Sequence, residues 1–329
     1  MMPIVAIVAL LILSLSVNSV KAQTLSPNNT LVYPSKAVRY IVPYAPGGGT
    51  DILARTIGAK LTEQLGQPFV IDNRPGAGGN LATENLLKAP PDGYTILAGN
   101  VGPIAVNPSL YKLTFDPQRE LSGVSLLALA PLLIVTHPAL PVKRLQDLIV
   151  LAKRAPGTIN YSSAGIGSSN HLAGALFDML THVHTIHVPY RGAGPAMTDL
   201  IAGHVMLAFV TLPSSMSFVK TGRLNILAIS SAHRSPLLPQ VPTTIESGLP
   251  EHQVSAWYSV VVRAGTSRAM IDKLNASLIR ALQYPDVKDK LSAEGAMVMG
   301  NSPEEFSAFM KSETTKWASV VTASGMKAE

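Results

Sequence analysis

Four short segments hold the residues whose types and spacing suit the capture of a small anion: 46–51, 75–80, 163–169 and 190–194. The first reads Pro46, Gly47, Gly48, Gly49, Thr50, Asp51, and the second Pro75, Gly76, Ala77, Gly78, Gly79, Asn80. The third contains Ser163, Ala164, Gly165, Gly167, Ser168 and Ser169, and the fourth Tyr190, Arg191, Gly192 and Gly194. Glycines let backbone N–H groups approach a ligand closely, and successive N–H groups at a helix start form a nest with a favourable dipole. The hydroxyls of Thr50, Ser163, Ser168 and Ser169 and the amides of Asn80 and Asn170 add directional donors.

The chemistry these segments offer is binding rather than turnover. No G-x-x-x-x-G-K-[ST] loop is present, and the G-x-G pieces at Gly165/Gly167 and Gly192/Gly194 lack the last glycine of a dinucleotide fingerprint. With only Arg74 and Arg191 flanking the loops, a carboxylate held by neutral donors fits better than a multiply charged phosphate. Neither G-x-S-x-G nor H-E-x-x-H occurs, Ser163 and Ser168 have no evident base, and Asp51 reads as a helix cap. His182, His184 and His187 fall close together, but no cysteine is available to complete a metal site. The first two read as solvated strand-edge side chains and His187 as a packed or loop-bracing one. No metal, cofactor or catalytic residue is expected.

Each segment must be positioned by a strand before it and a helix after it. Residues 39–43, 69–71 and 94–98 read as strands; helical periodicity follows at Leu53, Ile57, Leu61 and Leu65, with Gly66 as the stop. Thr50 with Asp51, and Asn80, stand at the N-caps. Helix 145–155, strand 158–162, a helix carrying Leu172, Leu176 and Met179, and strand 185–189 repeat the alternation, followed by strands 205–210 and 224–230. The tail is helical, and its last helix opens with Ser302, Pro303 and Glu305, a capping box with proline at the first position. Long apolar runs at 126–136 and 254–262 bracket the central block. The expected fold is therefore α/β, two lobes joined by two crossing strands: 23–127 with 253–329 as lobe 1, and 128–252 as lobe 2. Ligands in open α/β sheets bind beyond the carboxyl ends of the strands, which brings all four segments to one cleft.

Composition sets the compartment. The apolar run from Ile4 to Leu15, then Val20-Lys21-Ala22, has the form of a secretory signal peptide cleaved after Ala22. There are no cysteines, so a large core rather than disulfides must stabilise the exported chain. The net charge of +6 is modest and lacks a Lys/Arg cluster interleaved with aromatics, which argues against nucleic acid. A soluble periplasmic monomer is the expectation.

The stretches YPSKAVRYIVPYAPGGGTDILAR, IDNRPGAGGN, PDGYTILAG, INYSSAGIGSSNHLAGALF, HVPYRGAGPAMTDLIAGHV and VPTTIESGLP, in this order, closely resemble the Bug family, the TctC-like substrate-binding proteins of tripartite tricarboxylate transporters. The resemblance runs from about Tyr33 to the end. It implies a periplasmic Venus-flytrap fold that closes on a carboxylate or related small metabolite. It also implies membrane permease subunits as partners, or alternatively a sensor kinase. Onto this sequence it carries Gly47, Gly48, Gly49, Thr50, Asp51, Gly76, Ala77, Gly78, Gly79 and Asn80, and in the other half Ser163, Ala164, Gly165, Gly167, Ser168, Ser169, Tyr190, Arg191 and Gly192. Two departures stand out. Tyr44-Ala45-Pro46 varies the family's aromatic-proline pattern near the ligand, and Val210 and Thr211 occupy a stretch that often carries Asp or Asn. Tyr44 and Thr211 therefore join the expected ligand contacts.

Overall fold

The computed structural model describes residues 33–293 and 295–327; the expected signal peptide at 1–22 lies outside them. In chain order, β1 (Val38–Val42), α1 (Gly49–Leu65), β2 (Phe69–Asn73), α2 (Asn80–Lys88) and β3 (Thr95–Asn100) are followed by short α3 (Asn107–Leu110) and α4 (Pro117–Glu120). Then come β4 (Leu121–Thr136), α5 (Leu145–Arg154), β5 (Asn160–Ser163), α6 (Ser169–Thr181), β6 (Ile186–Pro189), α7 (Ala193–Ala202), β7 (Leu207–Thr211), α8 (Leu212–Lys220) and β8 (Asn225–Ile229). The chain ends with β9 (Ser255–Arg263), α9 (Arg268–Gln283), α10 (Pro285–Ala293), β10 (Met297–Val298) and α11 (Pro303–Ser324).

The same topology is used twice. Parallel β2-β1-β3 forms one set, and parallel β6-β5-β7 the other. In each, the first strand in sequence lies between the second and third, so the chain changes direction beside it and opens a crevice there. β9 runs antiparallel to β3 and to the first part of β4, whose Leu121–Pro131 stretch it pairs, while Leu132–Thr136 of β4 pairs β7. One 16-residue strand thus belongs to both halves. Its side chains alternate as a strand requires: Leu132 and Ile134 enter the large core, Leu133 and Val135 a smaller one beneath α7 and α8. Burying each is worth about 1.5–3 kcal/mol, so β4 cannot slip register without exposing both cores.

β9 enters the first sheet opposite Pro131 and stays there. The return crossing is therefore the segment just before it rather than β9 itself. Ser230 fixes that point: its Oγ accepts from the Leu132 N–H at 2.9 Å and donates to the Val254 carbonyl at 2.5 Å. The Ser230 N–H also donates to the Leu132 carbonyl. At the far end the capping box forms as expected, Glu305 and Ser302 bonding reciprocally, and Phe306 and Trp317 are buried.

Three local expectations are corrected. The N-cap of α1 is Gly48, with no side-chain cap, and Thr50 and Asp51 lie inside the first turn. Gly79, not Asn80, caps α2. His182 ends α6 in the left-handed conformation, and both it and His184 precede β6 instead of lying on it. Among the described residues, no helix is long and apolar enough to cross a membrane.

Candidate functional site

The first and third strands of each half end at one small chamber of about 30 Å³. Tyr44, Gly48, Gly49 and Thr50 follow β1, and Asn100 ends β3; Ala164, Ser168, Ser169 and Asn170 follow β5, and Thr211 ends β7. Ala193, Ala256 and Tyr258 complete the wall. Two helices of 17 and 13 residues, one from each half, therefore present their starts to the same space. Their first N–H groups have no intrahelical acceptor, and their dipoles favour an anion. Among the described residues, no charged side chain lines the chamber.

The chamber's walls are braced from behind. Asp51 is buried, and its carboxylate accepts from the Gly47 N–H at 3.0 Å, from Arg55 Nε at 3.1 Å and from Asn73 Nδ2 at 3.0 Å. Burial alone would raise its pKa, but the hydrogen bonds from Arg55, Gly47 and Asn73 outweigh it and hold the carboxyl below the usual range. Asn73 also donates to the Tyr44 carbonyl at 2.9 Å, so one carboxylate and one amide shape the whole turn. Asn100 Nδ2 donates to Thr50 Oγ1 at 3.3 Å. Gly49 has no room for a side chain: a Cβ there would lie 2.3 Å from the Tyr258 hydroxyl.

In the second half, Ser168 caps α6 by accepting from the His171 N–H at 3.4 Å, and Asn170 Nδ2 bonds the Phe209 carbonyl. The Gly167 N–H donates to His171 Nδ1 at 3.1 Å. Ser163, which the sequence left without a base, has His187 Nε2 2.6 Å from its Oγ. It also accepts from the Gly165 N–H at 3.1 Å and faces neither chamber, so it braces the loop. His187 thus has the loop-bracing role expected of it. Burial lowers the pKa of His171 to about 4, and burial with the charge of His171 lowers that of His187 to about 3. Both rings are neutral at pH 7.

The second strands of the two halves lead to an outer chamber of about 550 Å³. Gly76, Ala77, Gly78 and Gly79 line one side, and Gly165, Tyr190 and Arg191 the other; Tyr44 and Ala164 are shared with the inner chamber. The halves touch here through backbone. The Ala45 N–H donates to the Arg191 carbonyl at 3.0 Å, and at Gly78, with φ +60°, a Cβ would stand 2.3 Å from the Ile166 carbonyl.

Of the residues expected from sequence, Tyr44, Gly48, Gly49, Thr50, Ala164, Ser168, Ser169 and Thr211 line the inner chamber, and Gly76, Ala77, Gly78, Gly79, Gly165, Tyr190 and Arg191 the outer. Asp51, Asn80, Ser163, Gly167 and Gly192 line neither and act as supports. Asn80 accepts from Asn107 Nδ2 at 2.6 Å, which also bonds the Gly78 carbonyl. Gly192 packs so closely on Ala45 that a Cβ would lie 2.8 Å from its nitrogen. Sequence reasoning missed Asn100, Ala193, Ala256 and Tyr258; the one available signal was a polar group at the end of, or within, an apolar strand.

Two doubled strand sets with a shared crossing strand and a chamber between helix starts define a two-lobed periplasmic solute-binding fold, which the solved relatives share. The tripartite tricarboxylate transporter family receptor (TctC) pattern matches residues 53–326, and the chain belongs to that family. BugT of Bordetella pertussis is 36% identical over 304 residues, 92% of this chain and 93% of BugT. R. palustris Rpa4515, solved with adipate, has a TM-score of 0.87 at 35% identity, covering 90% of this chain and 99% of that one. MatC of Rhodopseudomonas palustris, solved with bound malate, has a TM-score of 0.85 at 33% identity, covering 88% and 100%.

Proposed function

We propose that this solute-binding protein works in the periplasm, after removal of residues 1–22, and captures a small carboxylate for uptake through the membrane subunits of a tripartite transporter. The observation that carries the reading is the inner chamber: two helix starts from opposite halves converge on one small space lined, among the described residues, by uncharged side chains. A single carboxylate satisfies both sets of N–H groups. Four to six charge-assisted hydrogen bonds at ~1.5–3 kcal/mol each offset an association cost of ~4–15 kcal/mol. Burial gained on closure supplies the rest.

Closure is assigned to rotation of residues 128–252 against the remainder about the Leu132–Ser230–Val254 crossing. The bound relatives, with adipate and malate, support the carboxylate class. The ligand is expected to leave the protein chemically unchanged, as suits a receptor rather than an enzyme.

The test is a thermal-shift screen of residues 23–329 against mono-, di- and tricarboxylates, followed by calorimetry. A saturable shift with one acid class, weakened when Ser168 is replaced by Ala, supports the reading. Shifts only with uncharged metabolites would refute the carboxylate and leave the receptor standing.

A further inference from the structure

At the crossing, the two faces of the sheet carry different features. Ala256 and Tyr258 of β9 line the inner chamber, so Ser255 and Trp257, which alternate with them, point to the opposite face. Ser255 pairs Pro131, and Trp257 pairs Leu129, which Met297 of β10 also pairs. Residues directly opposite one another in a sheet share a face. Leu129, Pro131, Trp257 and Met297 therefore stand together behind the chamber.

A groove runs there. Two hollows, of about 540 and 350 Å³, share Pro131, Ser231, Ala232 and Met297 and so adjoin. One rim of the larger is 295–297; the other is 231–237, between β8 and β9. Met297 is 63% exposed and Leu237 42%, and Pro131 and Ile229 add further apolar surface. Arg234 belongs to the same lining, but its guanidinium is taken by Glu246 at 2.8 Å. The groove ends where Gly295 packs on Leu212: a Cβ on Gly295 would lie 2.9 Å from that side chain. Leu212 directly follows Thr211, which lines the chamber on the other face.

The two rims belong to the parts that rotate, since 231–237 falls within 128–252 and Met297 outside it. Here the front is shut: the Ala45 N–H meets the Arg191 carbonyl, and Gly78 lies against the Ile166 carbonyl. The back is wide. A rotation about the crossing that parts the front loops must bring the rear rims together, because the axis runs between the two faces. Ala232, Leu237 and Met297 then lose exposed apolar surface, which is favourable.

We propose that this groove is a counter-spring, whose apolar rims meet when the front cleft opens and hold the empty receptor open. The proposal rests on the rotation of 128–252 described under the proposed function, and its consequence has a definite sign. A bulky side chain on either rim fits the wide groove of the closed form and obstructs the narrow groove of the open one. It should tighten binding from a distance, since neither Ala232 nor Met297 lines a chamber.

The experiment places tryptophan on each rim in turn, Ala232→Trp and Met297→Trp, in the full mature chain, with Ala232→Ser as the small control. Each protein is measured by small-angle scattering without ligand and by calorimetry with adipate and with malate as probes. The native empty chain should be more extended than this structure, and both tryptophan variants should move toward it. Raising the closed fraction from about 5% to about 50% tightens apparent affinity about tenfold, and slower release should carry the gain. Ala232→Ser should match the native chain in both measurements. Unchanged scattering in both tryptophan variants, or a more extended empty chain with weaker binding, overturns the counter-spring. A native empty chain already as compact as this structure overturns it too. Compaction of both empty variants in a protein that binds neither acid supports the counter-spring and counts against the carboxylate reading instead.

Discussion

The imidazole rings of His171 and His187 stack with centroids 3.9 Å apart and an interplanar angle of 11°. Each ring holds one end of the 163–169 loop, His171 through the Gly167 N–H and His187 through Ser163 Oγ. His171 Nδ1 accepts a hydrogen bond, so a proton there would set donor against donor, and a second charge would face the first across the stack.

Acid should therefore loosen this loop. The folded pKa values, about 4 and about 3, lie below the ordinary 6.5. From pH 6.5 downward the unfolded chain takes up protons that the folded chain refuses, so stability falls until the pH passes the folded values. One such ring costs on the order of 2 kcal/mol between pH 6.5 and pH 5. Urea titrations across that range should show the loss, and His171→Gln should flatten part of it. A pH-independent midpoint would contradict the stacked neutral pair.

The elements behind this pair were partly legible in sequence. The glycine loops announce themselves because strand, turn and helix signals are local, and so were the strand alternation and the capping box of α11. The role of His187 was legible as packing or loop-bracing, but its partner was not, since Ser163 is 24 residues away. Tyr258 was opaque for the same reason: it is an ordinary strand former, and its contact with Gly49 spans more than two hundred residues. Caps misread at Thr50 and Asn80 have another cause. Polar residues compete with glycine for the N-cap, and where backbone must approach a ligand, glycine takes it.

Close approach of the halves yields a second prediction. A Cβ on Gly194 would lie 2.6 Å from the Pro46 carbonyl across the cleft. Gly194→Val should prop the halves apart without disturbing either core. The expected result is a ligand-free melting temperature within about 2 °C of native, since surface changes usually stay within ~0.5 kcal/mol, with affinity for the best acid reduced at least about tenfold. Small-angle scattering should show that the acid no longer compacts the variant. Native affinity would mean that closure does not pass through this contact.

The crossing point gives a third. Ser230→Ala removes the acceptor for the Leu132 N–H and the donor for the Val254 carbonyl, both buried. Leaving such groups unpaired costs about 1–3 kcal/mol each, so urea unfolding should show a loss of roughly 2 kcal/mol or more. A change below ~0.5 kcal/mol would mean that water replaces the hydroxyl at the crossing.

Thr211 tests the electrostatics of the inner chamber most directly. It ends β7, lines the chamber, and its Oγ1 lies 3.2 Å from where a Gly49 Cβ would stand. A carboxylate placed there by Thr211→Asp would meet the α1 N-terminus before any ligand did. It would occupy the positive end of the helix, where an anion gains about 0.3–1 kcal/mol or somewhat more when buried. It would also repel an incoming carboxylate in a space that, among the described residues, has no cation in its lining to screen the pair. The variant should therefore keep or slightly gain stability above the carboxyl pKa while losing acid binding by about a hundredfold or more. Lowering the pH toward 4 should restore part of that binding as the new side chain takes up a proton. Thr211→Asn, equal in size and neutral, should lose far less, and equal losses in the two variants would mean that shape rather than charge governs the chamber.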